Sequence, residues 1–140
     1  MAITIHEVSQ DTKASKETIW DIWKNVEKWP DWDKELEWVK INGEFKQGQT
    51  GKLKPKGGPV SKYQITSCVQ FKEFSDSAKL PLATLVFDHW ITPNNNGISI
   101  THKISIRGPL ARIFKLLLGE NLKKGLTVAL PKLVELAEKP

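Results

Sequence analysis

Residues 108–140 read GPLARIFKLLLGENLKKGLTVALPKLVELAEKP, and this stretch decides the fold. Leu110, Ile113, Phe114, Leu117, Leu122, Leu126, Ala129, Leu130, Leu133, Val134 and Ala137 recur mostly at three- or four-residue intervals, which stacks them along one side of an α-helix. The spacing predicts one long amphipathic helix from Pro109 to Glu138, opened by Gly108-Pro109 and ended by Lys139-Pro140. Gly119, Gly125 and Pro131 sit inside it and are expected to bend it. A helix of roughly 30 residues spans about 45 Å at the standard rise. Its apolar stripe therefore needs a broad partner.

The upstream chain reads as a sheet built to supply one. Ala2 to Gln10 alternates Ile3, Ile5 and Val8 with polar residues, as a strand does. Ser15 to Glu27 has helix-capping residues followed by Ile19, Ile22, Trp23 and Val26 at helical spacing. Pro30 disfavours the helical conformation at Trp29, so Trp29 to Asp33 is expected to turn or form a single helical turn. Leu36 to Ile41, a short piece flanked by Gly48 and Gly51, Ser61 to Gln70, Glu73 to Ala78, Leu82 to Thr92 and Ile98 to Arg107 then read as extended segments. Asn42-Gly43, Gly57-Gly58-Pro59 and Pro93 to Gly97 punctuate them. Strands in series followed by a helix indicate an α+β fold with an antiparallel sheet, because parallel strands would need helical crossovers.

Length and composition bound the rest. A chain of 140 residues fits a single domain, 1–140, with a real core. Its one cysteine, Cys68, excludes an intramolecular disulfide. The charge-dotted N-terminus lacks the apolar core of a signal peptide, and no segment approaches the roughly 20 apolar residues of a span, so a cytoplasmic location without stable membrane insertion is expected. The net charge is +5, yet Arg107 and Arg112 are the only arginines and the lysines are scattered apart from Lys52, Lys54 and Lys56. Phosphate and base recognition favours clustered arginine, so no nucleic-acid partner is expected. The lysines beside the terminal stripe also fit a membrane-surface helix, but the apolar face of the sheet requires cover, and packing on it is the stronger reading.

The order of elements resembles the helix-grip fold of the START/Bet v 1-like (SRPBCC) superfamily, in its polyketide cyclase/dehydrase and lipid-transport branch. Three stretches carry the resemblance: Glu17-Thr18-Ile19-Trp20 through Trp29-Pro30-Asp31-Trp32-Asp33; Gly43-Glu44-Phe45 through Gly48 and Gly51; and Ile98 to Pro109, with Thr101-His102-Lys103 before Gly108-Pro109-Leu110. The resemblance implies a curved sheet of about seven strands wrapped around the long C-terminal helix, with short helices between strands 1 and 2. It also implies a deep apolar cavity between helix and sheet, and no shared catalytic set.

Alternation places Ile98, Ile100, His102, Ile104 and Ile106 on one strand face, and Leu85, Phe87, His89 and Ile91 on another. Two imidazoles are thus expected to point into one cavity, either to hydrogen-bond a ligand or move a proton, or as buried histidines satisfied by neighbours. Asp88 points to the opposite face from His89. Leu85, Phe87, Ile100 and Ile104 would line the cavity from the sheet and Phe114 and Leu117 from the helix. Trp20 is expected near its entrance, and Tyr63 either lines it or faces solvent. Trp23 is expected in the core.

His6, His89, His102 and Cys68 show no ligand-spaced pair, and Gly48, Gly51, Gly57 and Gly58 match no phosphate or dinucleotide loop, so neither metal nor cofactor is expected. The leading expectation is binding or carriage of a hydrophobic small molecule, aromatic, polyketide-like or lipid-like. The alternative is a cyclase- or dehydratase-type enzyme in which His89 and His102 transfer protons. A regulatory interaction module is a third reading, with no protein partner specified.

Overall fold

The computed structural model describes residues 2–139. Strand β1 (Ala2–Thr12) carries the expected alternation and slips register between Thr4 and His6. Helix α1 (Lys16–Lys24) is capped by Ser15, whose side-chain oxygen accepts the Thr18 amide at 3.1 Å, and Glu17 lies in the first turn where the helix dipole favours negative charge. A 3-10 helix, Val26–Asp31, follows with Pro30 inside it. Proline lacks an amide hydrogen and restricts the residue before it, so the chain tightens here instead of extending α1.

Strands β2 (Leu36–Ile41), β3 (Thr50–Pro55), β4 (Ser61–Val69), β5 (Glu73–Leu80), β6 (Ala83–Asn94) and β7 (Gly97–Arg107) come next. They form one seven-stranded antiparallel sheet in the order β1-β7-β6-β5-β4-β3-β2. Asn94 pairs with Gly97, so the expected turn closes tightly on Asn95 and Asn96. The connection after Asn42-Gly43 is longer than a two-residue hairpin, since β3 begins only at Thr50.

Helix α2 (Ala111–Ala137) starts with Leu110 as its cap, leaving Pro109 outside, and stays helical through Gly119, Gly125 and Pro131. Its start is pinned by the β5–β6 turn. Gly108 sits at φ +116°, a Cβ there would lie 2.7 Å from the Leu82 carbonyl oxygen, and the Leu110 amide donates to that same oxygen at 3.0 Å. At the far end, Thr12 donates to Glu138 Oε2 at 2.6 Å, tying β1 to the end of α2.

The core has two parts. The C-terminal half of α2, through Ala129, Leu130, Leu133 and Val134, packs with the tryptophans of α1 and the 3-10 helix against Tyr63, Ile65, Phe74 and Ile100. The N-terminal half covers a smaller group of Ala83, Leu85, Ile104 and Ile106, joined by Phe87, Phe114, Leu122 and Leu126.

One close approach fixes the β2–β3–β4 corner. Tyr63 Oη donates to the Lys40 carbonyl at 2.8 Å, and a Cβ on Gly51 would overlap both that oxygen and the tyrosine hydroxyl. Gly51→Ala is therefore expected to cost about 2–4 kcal/mol, combining overpacking with a lost hydrogen bond. Tyr63→Phe, which removes only the bond, should cost about 1 kcal/mol in the same denaturant titration.

Candidate functional site

Strand register builds the site row by row. Cys68, Phe74, His89, His102 and Val8 occupy one line across β4, β5, β6, β7 and β1. The next line holds Ile65, Asp76, Phe87 and Ile104. Onto the first line α1 and the 3-10 helix lower their indoles. Trp23 meets Phe74 at 5.2 Å, His89 at 5.8 Å and His102 at 6.0 Å between ring centroids, and Trp32 meets His102 at 5.7 Å. Trp29 lies 5.8 Å from Phe74 and 6.1 Å from Tyr63.

The two histidines face each other at 4.7 Å, nearly perpendicular. His89 stacks flat on Phe74 at 4.0 Å, and its Nδ1 lies 3.2 Å from the Phe74 carbonyl oxygen. A carbonyl only accepts, so Nδ1 carries the proton of the neutral ring. Burial pushes the His89 pKa down to about 3, only partly opposed by that carbonyl. His102 is likewise held well below its usual value, by burial and then by its neighbour His89. His89 is thus a buried histidine satisfied by a neighbour, whereas His102 Nε2 has no hydrogen-bond partner among the described residues.

That nitrogen is one of four such atoms. Trp23 Nε1, Trp32 Nε1 and Asp76 Oδ1 are also buried without a hydrogen-bond partner among the described residues. An orphaned buried polar atom costs about 1–3 kcal/mol, so three within one aromatic cluster and a fourth on the next register line are costly for a core serving packing alone.

Asp76 is the residue that the sequence reading missed. It is 4% exposed, and burial followed by the charges of Asp88 and Asp33 raises its pKa to about 8, so it is a protonated acid at neutral pH. Its signal was present in the alternation of Phe74, Asp76, Ala78 and Leu80 along β5, which puts it inward with Phe74. Asp33 is a second overlooked carboxyl. Burial raises it to about 6 against the opposing hydrogen bond from the Glu35 amide. Asp88 does point away from His89, and accepts from Ser75 Oγ at 2.5 Å.

The residues expected to line a cavity are divided. Tyr63, Trp20 and Ile100 are buried in the larger core part. Leu85, Phe87, Ile104 and Phe114 belong to the smaller part. Trp20 is walled in by Trp23, Phe45 and Phe71, while Leu117 is 67% exposed and stands apart from both groups. Burial, followed by the charges of Asp76 and Glu27, holds the Tyr63 hydroxyl above its ordinary value.

Two clefts flank this interior. One of about 500 Å³ opens between α1, the 3-10 helix and the end of α2, with Asp21, Asn25, Lys28 and Lys139 on its walls and Trp32 at its base. The other, about 600 Å³, runs between β1 and the first half of α2. Neither is lined by His89 or His102, which are covered by rings in this conformation. Trp32 belongs both to the lining of this first cleft and to the aromatic cluster, 5.7 Å from His102.

No protein-family model and no curated protein sequence matches the chain. Solved structures do. Protein MLL2253 from Mesorhizobium loti superposes with a TM-score of 0.73 at 16% identity, over 97% of this chain and 96% of its own. The di-domain ARO/CYC StfQ of the steffimycin biosynthetic pathway gives 0.72 at 12% identity, over 99% of this chain and 50% of its own. Ara h 8.0201 gives 0.67 at 9% identity, over 96% and 99%. This is a helix-grip fold. The architecture implied by the START/Bet v 1-like resemblance is present, with seven curved strands holding α2 and the short helices between β1 and β2. Among the described residues, no helix of this helix-grip protein is long and apolar enough to cross a membrane.

Proposed function

We propose that this protein binds a small, largely apolar, ring-bearing molecule in the interior between α2 and the sheet, entering past Trp32 from the cleft beside α1. One observation carries the reading: three unpartnered buried polar atoms, from Trp23, Trp32 and His102, gather in one aromatic cluster, and a fourth, from Asp76, lies on the adjoining register line. Rings would cover the faces of such a molecule, while indole N–H groups and a neutral carboxyl would meet its polar atoms. Tyr63, Ile100 and Trp20 would close around it from the larger core part. Leu85, Phe87, Ile104 and Phe114 would take its apolar remainder, and Leu117 has no place in the site.

The test is titration with a panel of aromatic and polyketide-like compounds, read by quenching of tryptophan emission. A saturating one-to-one ligand is expected, with His102→Gln and Asp76→Asn each weakening it about tenfold, the value of one hydrogen bond to a buried polar group. Saturation unchanged by either substitution would remove the assignment.

One observation supports a second reading, an enzyme of cyclase or dehydratase type. Asp76 retains its proton near neutrality while His102 is kept unprotonated, an acid and a base of the kind proton-transfer chemistry needs. In that case kcat/KM should hold level through neutrality and fall above pH about 8 as Asp76 ionises, with the fall absent in Asp76→Asn.

A further inference from the structure

The first half of α2 carries a second apolar surface that the packed stripe does not use. Leu116 is 85% exposed, Leu117 67% and Ile113 53%, three large aliphatic side chains on adjoining helix positions. Leu82 lies at the same end of the molecule, since its carbonyl receives the Leu110 amide. It is 67% exposed and held at φ +57°, a costly conformation for a leucine. Cations adjoin the patch: Arg112, Lys115 and Lys123 line the neighbouring groove, whose walls also include Ile3, Ile5 and Leu116, and Glu120 is its one carboxylate. Contiguous exposed apolar side chains bordered by charge mark contact surfaces.

We propose that this face of α2 docks the protein on an anionic lipid surface, its aliphatic side chains seated among the acyl chains and its cations among the headgroups. Charge decides between occupants. A second copy meeting this patch by a two-fold axis would set Arg112, Lys115 and Lys123 against their own equivalents, with only Glu120 to offset them. Nucleic acid would satisfy the cations and leave Leu116 and Leu117 in water. An anionic bilayer satisfies both.

Co-sedimentation with phosphatidylcholine vesicles, with and without phosphatidylserine, tests this. Binding at low salt is expected to be at least about tenfold stronger with phosphatidylserine and to weaken as salt is raised. Leu116→Glu with Leu117→Glu should reduce it about a hundredfold without moving the unfolding midpoint, because both side chains lie outside the core. Lys115→Glu with Lys123→Glu should abolish the phosphatidylserine preference. No binding to either vesicle, or equal binding by the double-glutamate variant, overturns the proposal. So does a self-associated protein that ignores vesicles and is dispersed by Leu116→Glu, which would make the patch an interface between copies.

Discussion

Asp76→Asn is expected to raise stability at pH 8 by roughly 3–5 kcal/mol and to flatten the alkaline side of the stability profile. In the fold the Asp76 carboxyl titrates near pH about 8, against 3.8 for the exposed group, because burial and the charges of Asp88 and Asp33 oppose its ionisation. Between those two values the folded chain holds a proton that the unfolded chain has released, so its stability falls as pH rises, by about 1.4 kcal/mol per pH unit. The buried histidines act in the opposite sense. His89 at about 3 and His102 well below 6.5 stay neutral in the fold, while the unfolded chain takes up protons as pH drops through 6.5. Asp33, raised to about 6, reinforces Asp76 between about pH 4 and 6.

These opposed shifts give a definite curve. Between pH 4 and 6 the two carboxyls and the two histidines oppose one another, and stability peaks near 6.5. It then falls by about 2 kcal/mol towards pH 8 through Asp76 alone. Below pH 4 the carboxyl contributions are spent, and stability falls by about 1.4 kcal/mol per unit for each imidazole still neutral in the fold. Urea titrations across this range check the shape. The asparagine variant should lose the decline from 6.5 to 8 and keep the acid limb, while His102→Gln should make the acid limb shallower and leave the alkaline one.

Trp23→Ala has the second large effect, an expected loss of about 3–5 kcal/mol. Trp23 is fully buried and meets four rings, those of Trp20, Phe74, His89 and His102, so its removal leaves a hole that side chains of α1, β5, β6 and β7 would all have to close. Trp23→Phe should be far milder, about 1 kcal/mol or less. It opens a smaller void and removes an indole N–H that has no partner, and the second change offsets part of the first. A phenylalanine variant as damaged as the alanine one would mean that the N–H is satisfied in solution. Chemical unfolding followed by far-UV circular dichroism separates the two, since both changes alter tryptophan emission directly.

The fold was legible because its periodicities are strong. Ile98 to Ile106 alternates without interruption, and β7 lies where that alternation put it; the helical stripe from Leu110 to Ala137 likewise became α2. The short extended piece expected between Gly48 and Gly51 is β3, Thr50–Pro55, which runs on past Gly51, because a glycine marks a bend or close approach but not where a strand stops. The site was half legible. The facing of His89 and His102 follows from the same alternation, and their register is direct. Asp76 escaped notice because β5 reads Ser75-Asp76-Ser77 between its apolar residues, a polar run that resembles a solvated edge, and only the neighbouring strands make it central. Leu117 shared the helical spacing of the buried stripe but lies where the helix faces solvent, since periodicity gives the stripe and not its width.

Native mass spectrometry of the protein purified gently from its own host tests the central claim most directly, followed by denaturation to release and identify any adduct. The expected result is a stoichiometric small molecule carrying a ring system and at least one polar atom, at reduced occupancy in Trp32→Ala and Asp76→Asn protein but at full occupancy in Leu117→Glu. A bare mass for the host-purified protein, together with no saturable ligand in the aromatic panel, would contradict the account and leave the four unpartnered atoms of the interior to bound water.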